Sequence, residues 1–146
     1  WKQIFIDEVR SQIPDTDWAR VHFLGRIPYD QFMRLLQVSR VHVYLTYPFV
    51  LSWSLMEAMS CEAAIVASNT APVREVIRHG ETGRLVDFFD GEALVAEVCD
   101  LLEDDEARRE LGRASRRLML EKYDLNTICL PRQLNWVSSV MGGAKV

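Results

Sequence analysis

One stretch of this chain gathers residue types suited to a polar ligand: Thr46-Tyr-Pro-Phe-Val-Leu-Ser-Trp-Ser-Leu-Met-Glu57-Ala-Met. A strand ends there, a loop turns and a helix starts. The start of a helix offers free backbone N–H groups and a positive dipole end, both suited to a diphosphate. Glu57 falls in the first turn or two of that helix, where a carboxylate can accept two hydrogen bonds from ribose hydroxyls. A structural role competes with this one. Ser54-Leu-Met-Glu57 has the spacing of a capping box, in which Glu57 bonds back to the backbone of Ser54. On spacing alone the cap is the simpler account. Trp53 divides in the same way between covering a ligand and plugging the core, and packing is the default for a lone aromatic.

The other chemistry-bearing residues are scattered. Cys61, Cys99 and Cys129 are odd in number and spaced 38 and 30 apart, which matches no metal pattern. They read as reduced, buried thiols on apolar helical stretches. His22 and His42 alternate with apolar residues in expected strands, and His79 lies beside a turn. None has a second ligand nearby in sequence, so no metal site is expected.

The elements that position Glu57 follow from hydrophobic periodicity. Trp1, Ile4, Phe5, Val9 and Ile13 recur at helical spacing, giving an amphipathic helix over 1–13. Val21–Leu24 reads as a strand closed by Gly25. Pro28 and Asp30 open a helix whose Phe32, Met33, Leu35 and Leu36 face inward. Val41–Leu45 is a β-branched and aromatic strand, Leu55–Ser60 a short helix and Ala63–Ala67 a third strand. Pro72–Arg78 reads as a short helix stopped by Gly80, and Arg84-Leu85-Val86 as a fourth strand. Helices are expected over Glu92–Glu103, from Asp104 and Asp105 onward, and from about Asn126 towards Val140, the last interrupted by Pro131. Arg108, Arg109, Arg113, Arg116 and Arg117 are interspersed with glutamates and read as a solvated helix face. The tail 142–146 is expected to fray.

Four short apolar strands alternating with helices make an α/β domain, a parallel sheet covered on both faces. Such sheets bind ligands at the carboxyl ends of their strands. Composition agrees with one globular domain: 146 residues, 49% hydrophobic, 26% charged. A net charge of −4 gives no reason to expect a nucleic-acid partner. No apolar run approaches the ~18–20 residues that cross a bilayer. The first residue is Trp1 and no signal segment precedes it, so the chain is expected to start inside a longer protein or after processing.

Ser54-Leu-Met-Glu57-Ala-Met-Ser-Cys-Glu-Ala-Ala-Ile-Val-Ala resembles the second half of the signature of family 4 (group 1) glycosyltransferases. Three further pieces resemble that family in order and spacing: Val21-His-Phe-Leu-Gly25, Pro72-Val-Arg-Glu75-Val-Ile and His79-Gly80-Glu-Thr-Gly83-Arg-Leu-Val. Together they cover about residues 20–124. The resemblance implies a Rossmann-like nucleotide-sugar-binding domain (1–124, with a C-terminal helix and tail over 125–146). It is the C-terminal half of a GT-B fold, missing part of its N-terminal side. It further implies retaining sugar transfer from a nucleoside diphosphate sugar, with no metal or other cofactor. On this resemblance Glu57 holds the ribose hydroxyls. Leu51, Ser52 and Trp53 form the loop whose amides approach the diphosphate, and Gly25, Arg26 and Ile27 border the base.

Departures from the family pattern bear on the sugar. Phe49 stands where the family has its first Glu, and Val50 and Ser52 stand where it has Gly. Glu62 replaces a Gly and Ala64 a Pro. Sugar recognition is therefore expected to use Ser52, Ser54 or backbone groups. The Arg and Lys that neutralise the leaving diphosphate in this family have no match here, and no catalytic residue is assigned. The chain alone is expected to bind nucleotide without transferring sugar. Its expected partners are the donor and an N-terminal acceptor domain, in the cytoplasm, with peripheral membrane attachment of the full enzyme left open. The alternatives are a non-catalytic protein-interaction module of the same fold and a fragment of a sugar-nucleotide epimerase.

Overall fold

The computed structural model describes residues 2–12, 18–47 and 50–142, and the chain forms two compact units, 1–31 and 32–146. The first carries helix α1 (Lys2–Gln12). After it, Trp18 stacks on Phe23 at 5.7 Å between ring centroids, and the Arg10 guanidinium lies 5.3 Å from the centre of the Trp18 ring. Val21–Leu24, expected as a strand, is not one. Val21, Phe23 and Leu24 stay exposed, and no neighbouring strand hydrogen-bonds to the segment among the described residues. An apolar run becomes a strand only where a second strand satisfies its backbone. Helix α2 (Tyr29–Val38) follows.

Three parallel strands in sequence order form the sheet of the second unit: β1 (Val41–Tyr44), β2 (Ala64–Ser68) and β3 (Arg84–Val86). The register pairs Val43 with Val66 and Ala67 with Leu85. Every residue of β2 is buried, as expected of a strand covered on both faces. Its side chains alternate between two cores. Ile65 and Ala67 face Leu55, Met59, Val73 and Ile77. Ala64 and Val66 face Val86, Leu101 and Leu111. Apart from Ile77 and the β3 residue Val86, these residues come from the helices α3 (Trp53–Ser60), the single turn α4 (Ala71–Arg74), α5 (Gly91–Glu103) and α6 (Asp105–Tyr123). A π-helical turn, Leu125–Cys129, then leads into α7 (Leu130–Gly142). The helix expected from about Asn126 is thus present from Leu125, and its change from π to α geometry falls beside Pro131.

The expected helix over Pro72–Arg78 shrinks to α4. The chain then forms a turn at Glu75–Val76, so its apolar residues Val73, Val76 and Ile77 all reach the core. The cysteines differ from expectation too. Cys99 is exposed, and Cys61 and Cys129 are half-buried. His42 lies in β1, whereas His22 lies outside any strand. Among the described residues no helix is long and apolar enough to cross a membrane.

Helix α6 anchors α3, the helix that carries Glu57. Small residues on α6 make the approach close. A Cβ on Gly112 would overlap the carbonyl oxygen of Glu62. The fully buried Ser115 hydroxyl donates to Gly112 O (2.8 Å) and to Met59 O (3.4 Å), and the Arg116 guanidinium donates to Ser60 O (2.7 Å). Ser60 O, at the end of α3, thus takes its donor from α6, and Ser115 adds to the Glu62 N–H bond that Met59 O already accepts (3.2 Å). Arg116 is therefore part of the packing, and so is Arg108, which pairs with Asp105 (2.6 Å) and donates to Leu101 O (3.2 Å). The five arginines are not one solvated face.

Glu62 holds a left-handed backbone, φ +62°. That is the conformation glycine adopts freely, and a side chain there costs about 1–2 kcal/mol.

Candidate functional site

The carboxyl ends of β1 and β2 are locked together by one side chain. The buried Ser68 hydroxyl donates to Thr46 O (2.8 Å) and accepts from Thr46 N–H (3.0 Å). This fixes where the chain leaves β1 and enters the loop before α3. Pro48 and Phe49 lie outside the described residues, so the position expected of the first family glutamate has no structural account.

At the far end of that loop Ser52 caps α3. Its backbone is extended (φ −79°, ψ 141°), and its Oγ accepts from Ser54 N–H (3.3 Å) and meets Ser54 Oγ at 2.9 Å. Ser52 N–H donates to the hydroxyl of Tyr44, at the end of β1 (3.0 Å). Leu55 N–H is bonded to Ser52 O (3.2 Å). Three of the amides at this helix start thus have partners within the chain. Trp53 N–H has no partner among the described residues.

The position of the cap decides the competition over Glu57. A capping box built on Ser52 would need an acidic or amide side chain at position 55, which is the fully buried Leu55. Glu57 lies in the second turn, two residues past that position. Ser54 is therefore not the N-cap that the Ser54–Glu57 spacing suggested.

Glu57 and Trp53 are four residues apart and share one face of α3. Leu55, Ala58 and Met59 occupy the buried face. Glu57 is half-buried and Trp53 is 78% exposed, so Trp53 does not plug the core. Leu51 is half-buried and packs against the core beside α3. Cys61 follows on the same face. Burial pushes its thiol up, the Arg116 guanidinium opposes this and Glu57 adds to it, so the thiol stays protonated at neutral pH.

Of the expected site residues, Leu51, Ser52, Trp53, Ser54 and Glu57 come together in this one loop and helix start. Gly25, Arg26 and Ile27 belong to the first unit. There Gly25 adopts φ +62°, Arg26 is exposed and Ile27 half-buried.

Three features of this edge were not foreseen. One is Tyr44, whose hydroxyl occupies the Ser52 amide. The only hint in sequence was a tyrosine at the end of a strand. A second is an aromatic cluster: Tyr47 packs edge-on against Phe88 (5.6 Å) and Phe89 (6.0 Å), which lie just past β3. The third is Thr70 Oγ1, buried after β2 with no hydrogen-bond partner among the described residues.

The family model described as glycosyl transferases group 1 matches residues 15–118. A phosphatidyl-myo-inositol mannosyltransferase of Mycolicibacterium smegmatis is 31% identical over 145 residues, 96% of this chain and 36% of its own length. This chain therefore spans little more than a third of that relative. An Anabaena protein solved in complex with UDP superposes with a TM-score of 0.81 at 23% identity, over 94% of this chain and 38% of that one. The C-terminal domain of a group 1 glycosyl transferase from Francisella tularensis gives a TM-score of 0.65 at 20% identity, over 71% of this chain and 54% of that one. These likenesses establish the Rossmann-like half of a GT-B fold.

Proposed function

The chain belongs to the glycosyl transferases of group 1, and from that membership we propose that it is the C-terminal, donor-binding domain of a retaining glycosyltransferase. Its ligand is the nucleoside diphosphate of a sugar donor. Glu57 accepts the ribose hydroxyls, and the start of α3 faces the diphosphate. One observation supports this reading: Ser52 caps α3, and the half-buried Glu57 shares a face of that helix start with the exposed Trp53.

The geometry narrows the amides at work. Ser52 N–H is held by Tyr44, so the backbone donor left for a diphosphate oxygen is Trp53 N–H. The serine hydroxyls of Ser52 and Ser54 lie beside it and supply the polar contacts that glycine loops in this family leave to backbone. Transfer proceeds by front-face displacement, with the leaving diphosphate drawing the acceptor proton. The charge that develops on the diphosphate needs cations or oriented donors. The chain spans 36% of the mannosyltransferase relative, so acceptor binding and diphosphate neutralisation are assigned to the remainder of such a protein.

Thermal unfolding in the presence of UDP, GDP and ADP tests the reading. A ligand at 100 times its Kd raises stability by about 2.7 kcal/mol. Stabilisation by one of the three identifies the base. A melting temperature unmoved by any of them at millimolar concentration contradicts donor binding.

A further inference from the structure

A second cleft lies apart from the Glu57 turn and shares no residue with it. Asn69, Arg74, Ile77, Arg78, His79 and Leu85 line a cavity of about 570 Å³, formed where the segment between β2 and β3 folds back along β3. Its polar groups have one property in common: each presents donors. His79 Nδ1 accepts the backbone N–H of Leu85 (3.0 Å). That bond places the ring proton of the neutral imidazole on Nε2, leaving Nε2–H as a donor. Asn69 Oδ1 accepts from Arg74 Nη1 (3.0 Å), which leaves both N–H groups of the Asn69 amide unclaimed by that bond. The same Arg74 nitrogen meets Asn69 O at 3.4 Å, so the rest of that guanidinium fork is available. Arg78 brings a second guanidinium.

Among the described residues no carboxylate lines the cleft. Glu81 approaches from its margin and meets Arg78 Nη1 at 3.4 Å, a long contact between side chains that are each more than half exposed. Such an exposed pair contributes little and yields readily to a better acceptor.

We propose that this cleft binds a phosphomonoester. Two guanidiniums, an imidazole N–H and an amide converge from four side chains. A phosphate offers three peripheral acceptor oxygens and up to two negative charges, which satisfies such a set more fully than the two oxygens of a carboxylate. The cavity is much larger than a phosphate group, and Ile77 and Leu85 supply apolar wall, so the phosphate is carried on an organic body. That body is a soluble sugar phosphate or the headgroup of a lipid such as phosphatidic acid.

The test uses the full protein chain and two kinds of probe. Calorimetric titration with inorganic phosphate and glucose 6-phosphate examines the soluble source. Sedimentation with phosphatidylcholine vesicles, with and without phosphatidic acid, examines the lipid source. Saturable binding of either kind, weakened about tenfold or more in Arg74→Gln/Arg78→Gln, supports the site, and the probe that binds identifies the source. Glu81→Gln removes the competing carboxylate and tightens binding severalfold. UDP affinity stays unchanged in the arginine variant, which separates this cleft from the Glu57 site. The proposal is overturned if no probe binds, if the arginine variant binds every probe like the wild type, or if Glu81→Gln leaves affinity unaltered.

Discussion

Gly112→Ala opposes two physical effects of known sign on the helix that holds α3 in place. Alanine is the better helix former by about 0.8–1 kcal/mol, so propensity alone predicts a more stable protein. The added methyl group, however, overlaps the carbonyl oxygen of Glu62, and its next neighbour is the carbonyl carbon of the same residue at 3.0 Å. Both are backbone atoms, so no rotamer change relieves the clash. The Cys61–Glu62 turn must move off α6. That movement strains the Ser115–Met59 bond (3.4 Å) and the Arg116–Ser60 bond (2.7 Å), which tie α6 to the end of α3. Overpacking of this kind costs about 1–3 kcal/mol, and weakening a hydrogen bond from a charged donor adds about 1 kcal/mol or more. After the propensity gain, a net loss of about 1–3 kcal/mol remains. In a chain of this length that lowers the melting temperature by about 2–10 °C. Urea denaturation of the variant measures it. Gly91→Ala serves as the control, because a Cβ at Gly91 meets nothing within 4 Å. A Gly112→Ala protein as stable as the wild type, or more stable, refutes the close-packing argument.

Three further outcomes follow from the same geometry. Glu62→Gly relieves the left-handed strain and forfeits only an exposed ion pair with Arg116 (3.5 Å), so stability rises by about 0.5–1 kcal/mol on denaturation; a loss of stability contradicts this. Tyr44→Phe removes the acceptor of Ser52 N–H and lowers stability by about 0.5–1.5 kcal/mol, as read from the urea midpoint. Burial holds the His42 imidazole below its ordinary value of 6.5. Above that pH both folded and unfolded chains carry the neutral ring. Below it the unfolded chain takes up a proton that the folded chain resists, so stability declines as pH falls. Denaturation midpoints between about pH 7.5 and pH 5.5 check the slope, and a slope that Gln at position 42 does not reduce excludes His42 as its source.

The three strands of the sheet were legible because β-branched runs bounded by turn residues carry their own signal. Val41–Tyr44, Ala64–Ser68 and Arg84–Val86 fall within a residue of expectation at either end. Val21–Leu24 has the same local character and is not a strand. Its state depends on a hydrogen-bonding neighbour, which no local pattern encodes. The site shows the same division. The loop and helix start around Glu57 could be read from order and spacing. Whether Ser52 or Ser54 caps the helix could not, since both residues suit a cap. In the fold Ser52 is the cap, and its N–H is held by the Tyr44 hydroxyl, eight residues earlier. Likewise, Glu62 was visible as a departure from glycine, but only the backbone shows that its position is left-handed. The phosphate cleft was hidden because its residues spread over 69–85 and share no motif.

The central claim is that Glu57 holds the ribose of a nucleotide donor. Isothermal titration of UDP, GDP and ADP into the wild-type protein and Glu57→Ala tests it most directly. The expected result is saturable binding of one nucleotide, weakened about tenfold or more in the variant, because hydrogen bonds to a charged group contribute about 1.5–3 kcal/mol each. Equal affinity in the two proteins, or no nucleotide bound by the wild type, contradicts it.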